Sequence, residues 1–302
     1  MSYNTYDRFQ GCWWGATVAQ SLLVQLARTQ TSDPYSQPWL VQRQKIATML
    51  LERSAENLQK FVTNLPRSTT ALQHNSSLLS WLPLIISPPN RSIVDLKKIL
   101  DRQSSAELAE ISVSRNILSW EYLLTTALNA RLDLITQKQI IREVDKHQPV
   151  SLLAAKLKLV LEAIVKGKSL NLIVEQLSAI KEHESSAIAL AWYCFATTPE
   201  DFQLSVRRAA LVPPELAWLA ITLTGTLSGA YNGMAEISAS SRDEPHQELE
   251  HRLCQELFAD WLGILNYRDD RTYNPNLDAI APTRVIQARQ NLKIISQIST
   301  SK

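Results

Sequence analysis

Apolar residues recur at three- and four-residue spacing through almost the whole chain, and strand-like alternation bounded by turn residues is scarce. That pattern predicts an all-α protein. A first helix over about residues 5–29 carries Phe9, Cys12, Trp13, Ala16, Ala19, Leu23 and Leu26 as one apolar stripe. Asp33-Pro34 and Gln37-Pro38 then break it, because a residue before proline is pushed out of helical geometry. A second helix over about residues 39–65 stops at Pro66, a Ser/Thr-rich connection leads to Asn75, and the short apolar stretch 76–87 is closed by Pro88 and Pro89. Further helices are expected over 93–100, 106–132, 134–147, 151–165, 170–180 and 186–197. Pro199 opens another, to about residue 210, with Glu200 and Asp201 in the first turn, where the helix dipole favours acids. Pro213 and Pro214 start a helix to about residue 233, and helices over 247–265 and 283–298 finish the chain.

No repeat of fixed period and no linker of disordered composition interrupts this series, so the simplest account is one compact helical domain over residues 1–302. With 45% hydrophobic residues the chain can bury a substantial core. A formal charge of +2, from 31 basic and 29 acidic residues, provides no overall field for nucleic acid or an anionic membrane. Cys12, Cys194 and Cys254 are odd in number and each sits in an apolar helical pattern; they read as buried thiols of a reducing compartment. The polar first nine residues lack the features of a secretory signal, and a cytoplasmic location is expected. The uncharged stretch 216–235 holds several Thr and Ser, with Glu215 and Glu236 at its borders in place of basic residues, so it is read as a core helix and not a membrane span.

Five of the seven glycines fall in two ladders of four-residue spacing, Gly11 with Gly15 and Gly225 with Gly229 and Gly233. Within a helix each glycine costs about 1 kcal/mol relative to alanine. The usual compensation is close approach of another backbone, or of a ligand, to the bare face.

Segments carrying these ladders resemble the ADP-ribosylglycohydrolase family. Arg8-Phe9-Gln10-Gly11, continuing to Gly15-Ala16, is similar to that family's opening helix. Asn75-Ser76-Ser77, continuing through Ser80 to Pro83-Leu84, resembles in part its phosphate-approaching loop and helix. Gly225-Thr226-Leu227-Ser228-Gly229-Ala230-Tyr231-Asn232-Gly233 closely matches its late glycine-rich helix, and Pro199-Glu200-Asp201-Phe202 sits where the family has a Phe-Glu-Glu-Ala helix. The resemblance implies a compact orthogonal helical bundle of the ADP-ribosylglycohydrolase type. It also implies a two-magnesium site, with ligands in an early Thr-Asp-Asp run and in an Asp-x-Asp-Thr run entering the late helix.

Those ligands are missing. Counting back from Gly225, the late run falls on Leu216, Ala217, Trp218 and Leu219, and the first-helix acid is replaced at Gln20. Hard cations need oxygen donors, which Leu and Trp do not supply. Asp33 and Glu215 are the nearby acids that remain, and Asp33 precedes Pro34 in what reads as a helix-ending turn. No magnesium or other cofactor is therefore expected, and Leu216, Trp218, Leu219 and Gln20 are read as vestigial metal-site positions. Trp218, Leu216 and Leu219 are expected to fill the vacated cleft.

Other constellations are weaker. His246 and His251 are five apart, which turns them from a common helix face, and an exposed polar helix is expected there. Cys194 with His183 would be the pair to consider as a nucleophile and base, but Ala191-Trp192-Tyr193-Cys194-Phe195 reads as core with no charge to activate the thiol. Asn75, Ser76 and Ser77 could cradle phosphate or merely cap a helix; Ser80 stands where the family has arginine; Tyr231 could line a nucleoside cleft or simply pack. The expectation is a catalytically inactive, ADP-ribosylglycohydrolase-like protein acting on a protein partner or as a regulatory subunit. The alternatives are an active ADP-ribosyl hydrolase with atypical ligands such as Asp33 and Glu215, or a sensor of ADP-ribose or another nucleotide through Asn75, Ser76, Ser77 and Tyr231.

Overall fold

The computed structural model describes residues 5–27, 38–52, 77–86, 108–129, 138–139, 141–142, 152–178, 182–237 and 247–262. In chain order these form α1 (Thr5–Ala27), α2 (Pro38–Leu51), α3 (Ser77–Ser80), α4 (Leu82–Ile85), α5 (Leu108–Leu128) and α6 (Leu152–Val165). They continue as α7 (Leu170–Ser178), α8 (His183–Thr197), α9 (Phe202–Ala209), α10 (Pro214–Asn232), a 3-10 turn (Met234–Glu236) and α11 (Gln247–Trp261). No strand occurs among the described residues, which are mostly helical, consistent with an all-α protein. The helices expected at 93–100 and 283–298 lie outside the described residues, as do most of 134–147 and the second half of 39–65.

Helices α1 and α10 interlock through their glycines. A Cβ placed on Gly15 would stand 2.7 Å from the carbonyl carbon of Gly225, and one on Gly229 would stand 2.7 Å from that of Gly11. The compensation for the glycines is thus helix backbone on helix backbone, the first of the two possibilities that the ladders leave open. The pairs Gly11 with Gly229 and Gly15 with Gly225 make the two helices antiparallel, with four residues forward on one matching four back on the other. At the next rung Gly233 takes a φ of 79°, which side chains rarely adopt, and a Cβ there would meet the Asp7 carboxylate. Asp7 Oδ1 accepts a 3.1 Å hydrogen bond from the Met234 N–H, which ties the turn after α10 to the start of α1.

The two other sides of α10 are packed by α8, α9 and α5. Its buried threonines dispose of their hydroxyls locally: Thr222, Thr224 and Thr226 donate to carbonyls four residues back at 2.9, 2.6 and 2.9 Å. Helix α8 is buried from Glu184 to Phe195 without interruption. A helix apolar all round belongs inside a core, which explains its lack of a polar face.

Within the short apolar stretch 76–87 two helices, α3 and α4, lie on either side of Trp81, because Pro83 has no N–H to continue one ladder. Two boundaries differ from the sequence reading. Helix α9 starts at Phe202 and not at Pro199, since Asp201 in extended geometry is the cap and its Oδ1 accepts from the Leu204 N–H at 2.8 Å. Helix α8 begins at His183, three residues earlier than expected, after Glu182 in extended geometry.

Candidate functional site

The register of α1 and α10 decides where the vestigial positions fall. Continued past Gly15 and Gly225, it carries α1 toward Gln20 as α10 runs back to Leu219 and Leu216, so the four positions gather at one end of the helix pair. Leu216 and Leu219 are buried at 3% and 2% exposure, and Trp218 is half-buried against the core. Gln20 is 3% exposed and, among the described residues, its Oε1 accepts no hydrogen bond. One amide oxygen among leucines does not fit a hard divalent cation, which takes about six oxygen donors. Glu215 is exposed in the first turn of α10, and Asp33 lies outside the described residues.

The candidate nucleotide contacts do not assemble there. Asn75 and Ser76 lie outside the described residues; Ser77 opens α3, and only its backbone is described. Tyr231 is half-buried and sits edge-on to Phe195 with ring centroids 5.7 Å apart. Thirteen residues separate it from Trp218 along α10, about 20 Å at 1.5 Å per residue. Tyr231 therefore packs at the opposite end of the helix from the vestigial positions. Ser80, at the family's arginine position, is 1% exposed and donates to Gln42 Oε1 at 2.9 Å, joining α3 to α2.

Cys194 and His183 are ruled out as a dyad. Eleven residues part them on α8, about 16 Å, with His183 exposed and the thiol buried. Burial pushes the Cys194 thiol up to about 12, against the pull of Arg208, and the same desolvation raises Cys12 and Cys254. All three cysteines are free and buried, as inert core thiols should be. His251 is exposed beside Gln255 on α11, as the sequence reading has it, whereas His246 lies outside the described residues.

Glu250, one residue before His251, departs from the expected exposed helix. It is fully buried and pairs with Arg43 at 2.5 Å, while Trp13 Nε1 donates to the same oxygen at 2.7 Å. The Arg43 guanidinium also donates to the Trp13 carbonyl at 2.8 Å and stacks over the Trp13 and Trp39 rings at 4.5 and 5.1 Å. A second buried charge, Lys156 on α6, donates at 2.8 Å to each of the Glu182 carbonyl, Ser185 Oγ and Ser186 Oγ. Burial pulls this ammonium down to about 8, with Glu182 opposing. A lysine beside two serines is the kit of a Ser/Lys nucleophile. Here, however, Lys156 and both serines are at most 1% exposed, all three donor positions are occupied, and no substrate atom could reach either Oγ. The cluster pins the start of α8 to α6, and Ser186 donating to the Leu177 carbonyl at 3.2 Å joins it to α7.

A groove of about 400 Å³ opens between the start of α9 and the turn after α10, lined by Glu200, Asp201, Phe202, Gln203, Leu204, Arg207 and Glu236. It lies at the Tyr231 end of α10, far from Leu216. Among the described residues no three His, Cys, Asp or Glu side chains group to hold a metal ion, and no helix is long and apolar enough to cross a membrane. In comparison with known proteins, no protein-family model matches this chain and no curated protein matches it.

Proposed function

We propose that this chain is an ADP-ribosylglycohydrolase-like protein that has lost metal-dependent hydrolysis and acts by binding a protein partner, as a regulatory module. The observation that supports the reading is the pairing of the two glycine ladders, because it joins the two segments that carry the closest resemblance and brings Gln20 level with Ala220, next to Leu219. In the family those neighbourhoods supply acids to two magnesium ions; here they supply Leu216, Leu219 and Trp218. Without carboxylates the site has nothing to neutralise a cation or to orient attacking water. Binding to a protein does not depend on that chemistry, and a recognition surface can outlast it.

Thermal unfolding with and without magnesium and ADP-ribose tests the reading. A ligand at about 100 times its dissociation constant adds about 2.7 kcal/mol of stability, which is measurable in a chain of this size. The expected result is an unchanged midpoint with either component or both, and no release of ADP-ribose from modified protein. A shift that requires both together would overturn the inactive reading, and a shift with ADP-ribose alone would replace it with the sensor.

A further inference from the structure

The described residues stop at Leu262, at the end of the bundle where the α9 groove opens, and the sequence beyond carries the charge that complements the groove. Three contacts fix that end. Phe258 and Trp261, in the last turn of α11, pack on Phe9 with ring centroids 5.2 and 6.1 Å away, and Phe258 packs on Tyr6 at 4.8 Å. Between Tyr6 and Phe9, Asp7 accepts the 3.1 Å hydrogen bond from the Met234 N–H. Glu236, two residues beyond Met234, lines the groove. Leu262 and the groove therefore lie at the same end of α1.

The groove holds about 400 Å³ and has three carboxylates, Glu200, Asp201 and Glu236, in its lining. Arg207 offsets one of them, which leaves an excess of two negative charges, and Leu204, 45% exposed, adds an apolar wall. A cleft with one prevailing sign of charge concentrates the opposite sign. Residues 279–302, outside the described residues, hold Arg284, Arg289, Lys293 and Lys302 and no acid, interleaved with apolar residues such as Val285, Leu292 and Ile295. With +2 for the whole chain and +4 in this segment, the remainder of the chain is −2. The 21 residues between Leu262 and Arg284 can span up to about 70 Å, twice the roughly 34 Å length of α1, so the groove is within reach.

We propose that the segment 279–302 docks in the α9 groove of its own chain, with its basic side chains on Glu200 and Glu236 and its apolar side chains on Leu204. Exposed ion pairs are individually weak. Tethering on one chain raises the effective concentration to the order of 1 mM, so contacts too weak to join separate molecules suffice here. This inference does not rest on the function proposed above, since it uses no residue of the vestigial site.

A cross-linking experiment on the full chain tests it. Gln203→Cys puts a thiol on the exposed rim of the groove, and a benzophenone maleimide labels it alone because Cys12, Cys194 and Cys254 are buried. Irradiation at about 10 µM protein and low salt, far below the effective concentration of a tether, should give cross-links within one molecule to peptides from 279–302. Their yield should fall about fivefold or more at 1 M salt, where charges are screened beyond about 3 Å. The triple variant Arg284→Glu/Arg289→Glu/Lys293→Glu should lose the cross-links to a similar degree. Glu200→Lys should lower the yield with the wild-type segment and raise it with the charge-reversed one. Helical content checks that each variant is folded, and the salt series needs no charge variant. Cross-links that never reach 279–302, or that reach it only between molecules, overturn the proposal. So does a yield that neither salt nor charge reversal changes.

Discussion

Replacing Gly15 by alanine adds one methyl group where the α1 and α10 backbones touch. In a free helix the change would stabilise by about 1 kcal/mol. In this fold the new carbon would overlap the Gly225 carbonyl group, standing 2.7 Å from its carbon, and the Thr226 nitrogen lies 3.2 Å away. These atoms belong to a helix backbone and cannot rotate aside as a side chain would. Ordinary contact begins near 3.4 Å, so α10 must retreat by about 1 Å or more, and it also supports α8, α9 and α5. Overpacking of this kind costs about 1–3 kcal/mol and occasionally more. The helix-propensity gain of about 1 kcal/mol is set against that, so the expected net loss is up to about 2 kcal/mol, with retained helical content. Gly167→Ala is the control, because its φ of 61° strains alanine by about 1–2 kcal/mol while nothing lies within 4 Å of the added carbon. Urea unfolding followed by circular dichroism measures both. The double variant Gly15→Ala/Gly225→Ala probes the same rung from both sides, and its loss should differ from the sum of the two single losses. If Gly15→Ala matches or exceeds wild-type stability, the backbone interlock is wrong and the ladders need another explanation.

Three further perturbations test the buried charges. Glu250→Ala strands the Arg43 guanidinium in the core and should cost about 3–5 kcal/mol, whereas Arg43→Met with Glu250→Leu should recover most of that loss; equal losses in single and double variants would refute a coupled pair. Glu184 is held at about 7 in the fold, chiefly by burial, with the Asn116 hydrogen bond opposing and Glu182 adding, against a usual 4.5. Its raised value gives a contribution that is full below about pH 4.5 and lost as pH rises through 7, so Glu184→Gln should gain up to about 3 kcal/mol at pH 8 and little at pH 4. Lys156 has the opposite sign, being lowered from 10.5 to about 8: its contribution is full above pH 10.5 and lost as pH falls through 8, so Lys156→Met should flatten the stability profile between those values. An unchanged alkaline limb in Lys156→Met would show that the buried ammonium does not titrate there.

The glycine ladders were legible because a helix gives glycine no advantage of its own. A four-residue repeat of that cost implies contact, and the contact proves to be Gly11 on Gly229 and Gly15 on Gly225. Helical class was legible for the same kind of reason, since a periodicity sustained along 302 residues has no other simple source. Boundaries at α3, α4 and α9 were less so, because they turn on single side chains such as Asp201, whose capping is decided by one extended backbone angle.

The buried charges escaped a reading that sorts residues into polar and apolar, although the period contained the signal. Arg43 belongs to the stripe Trp39, Leu40, Ile46, Ala47 and Leu50, and Glu250 to the stripe Leu253, Cys254, Leu257 and Phe258. A charge at a position that the period assigns to the core cannot be left alone, because desolvation without a partner costs several kcal/mol. Two such charges of opposite sign, on two helices, therefore constrain each other. The pairing of Arg43 with Glu250 predicts a contact between α2 and α11 across more than 200 residues, and the structure has it at 2.5 Å. Lys156 falls on the stripe Leu153, Ala154, Leu157 and Val160 by the same rule, but its partners are two serines and a carbonyl. Neutral oxygens carry no charge signature in a sequence, so the burial of Lys156 could be inferred from the period while its location against the start of α8 could not.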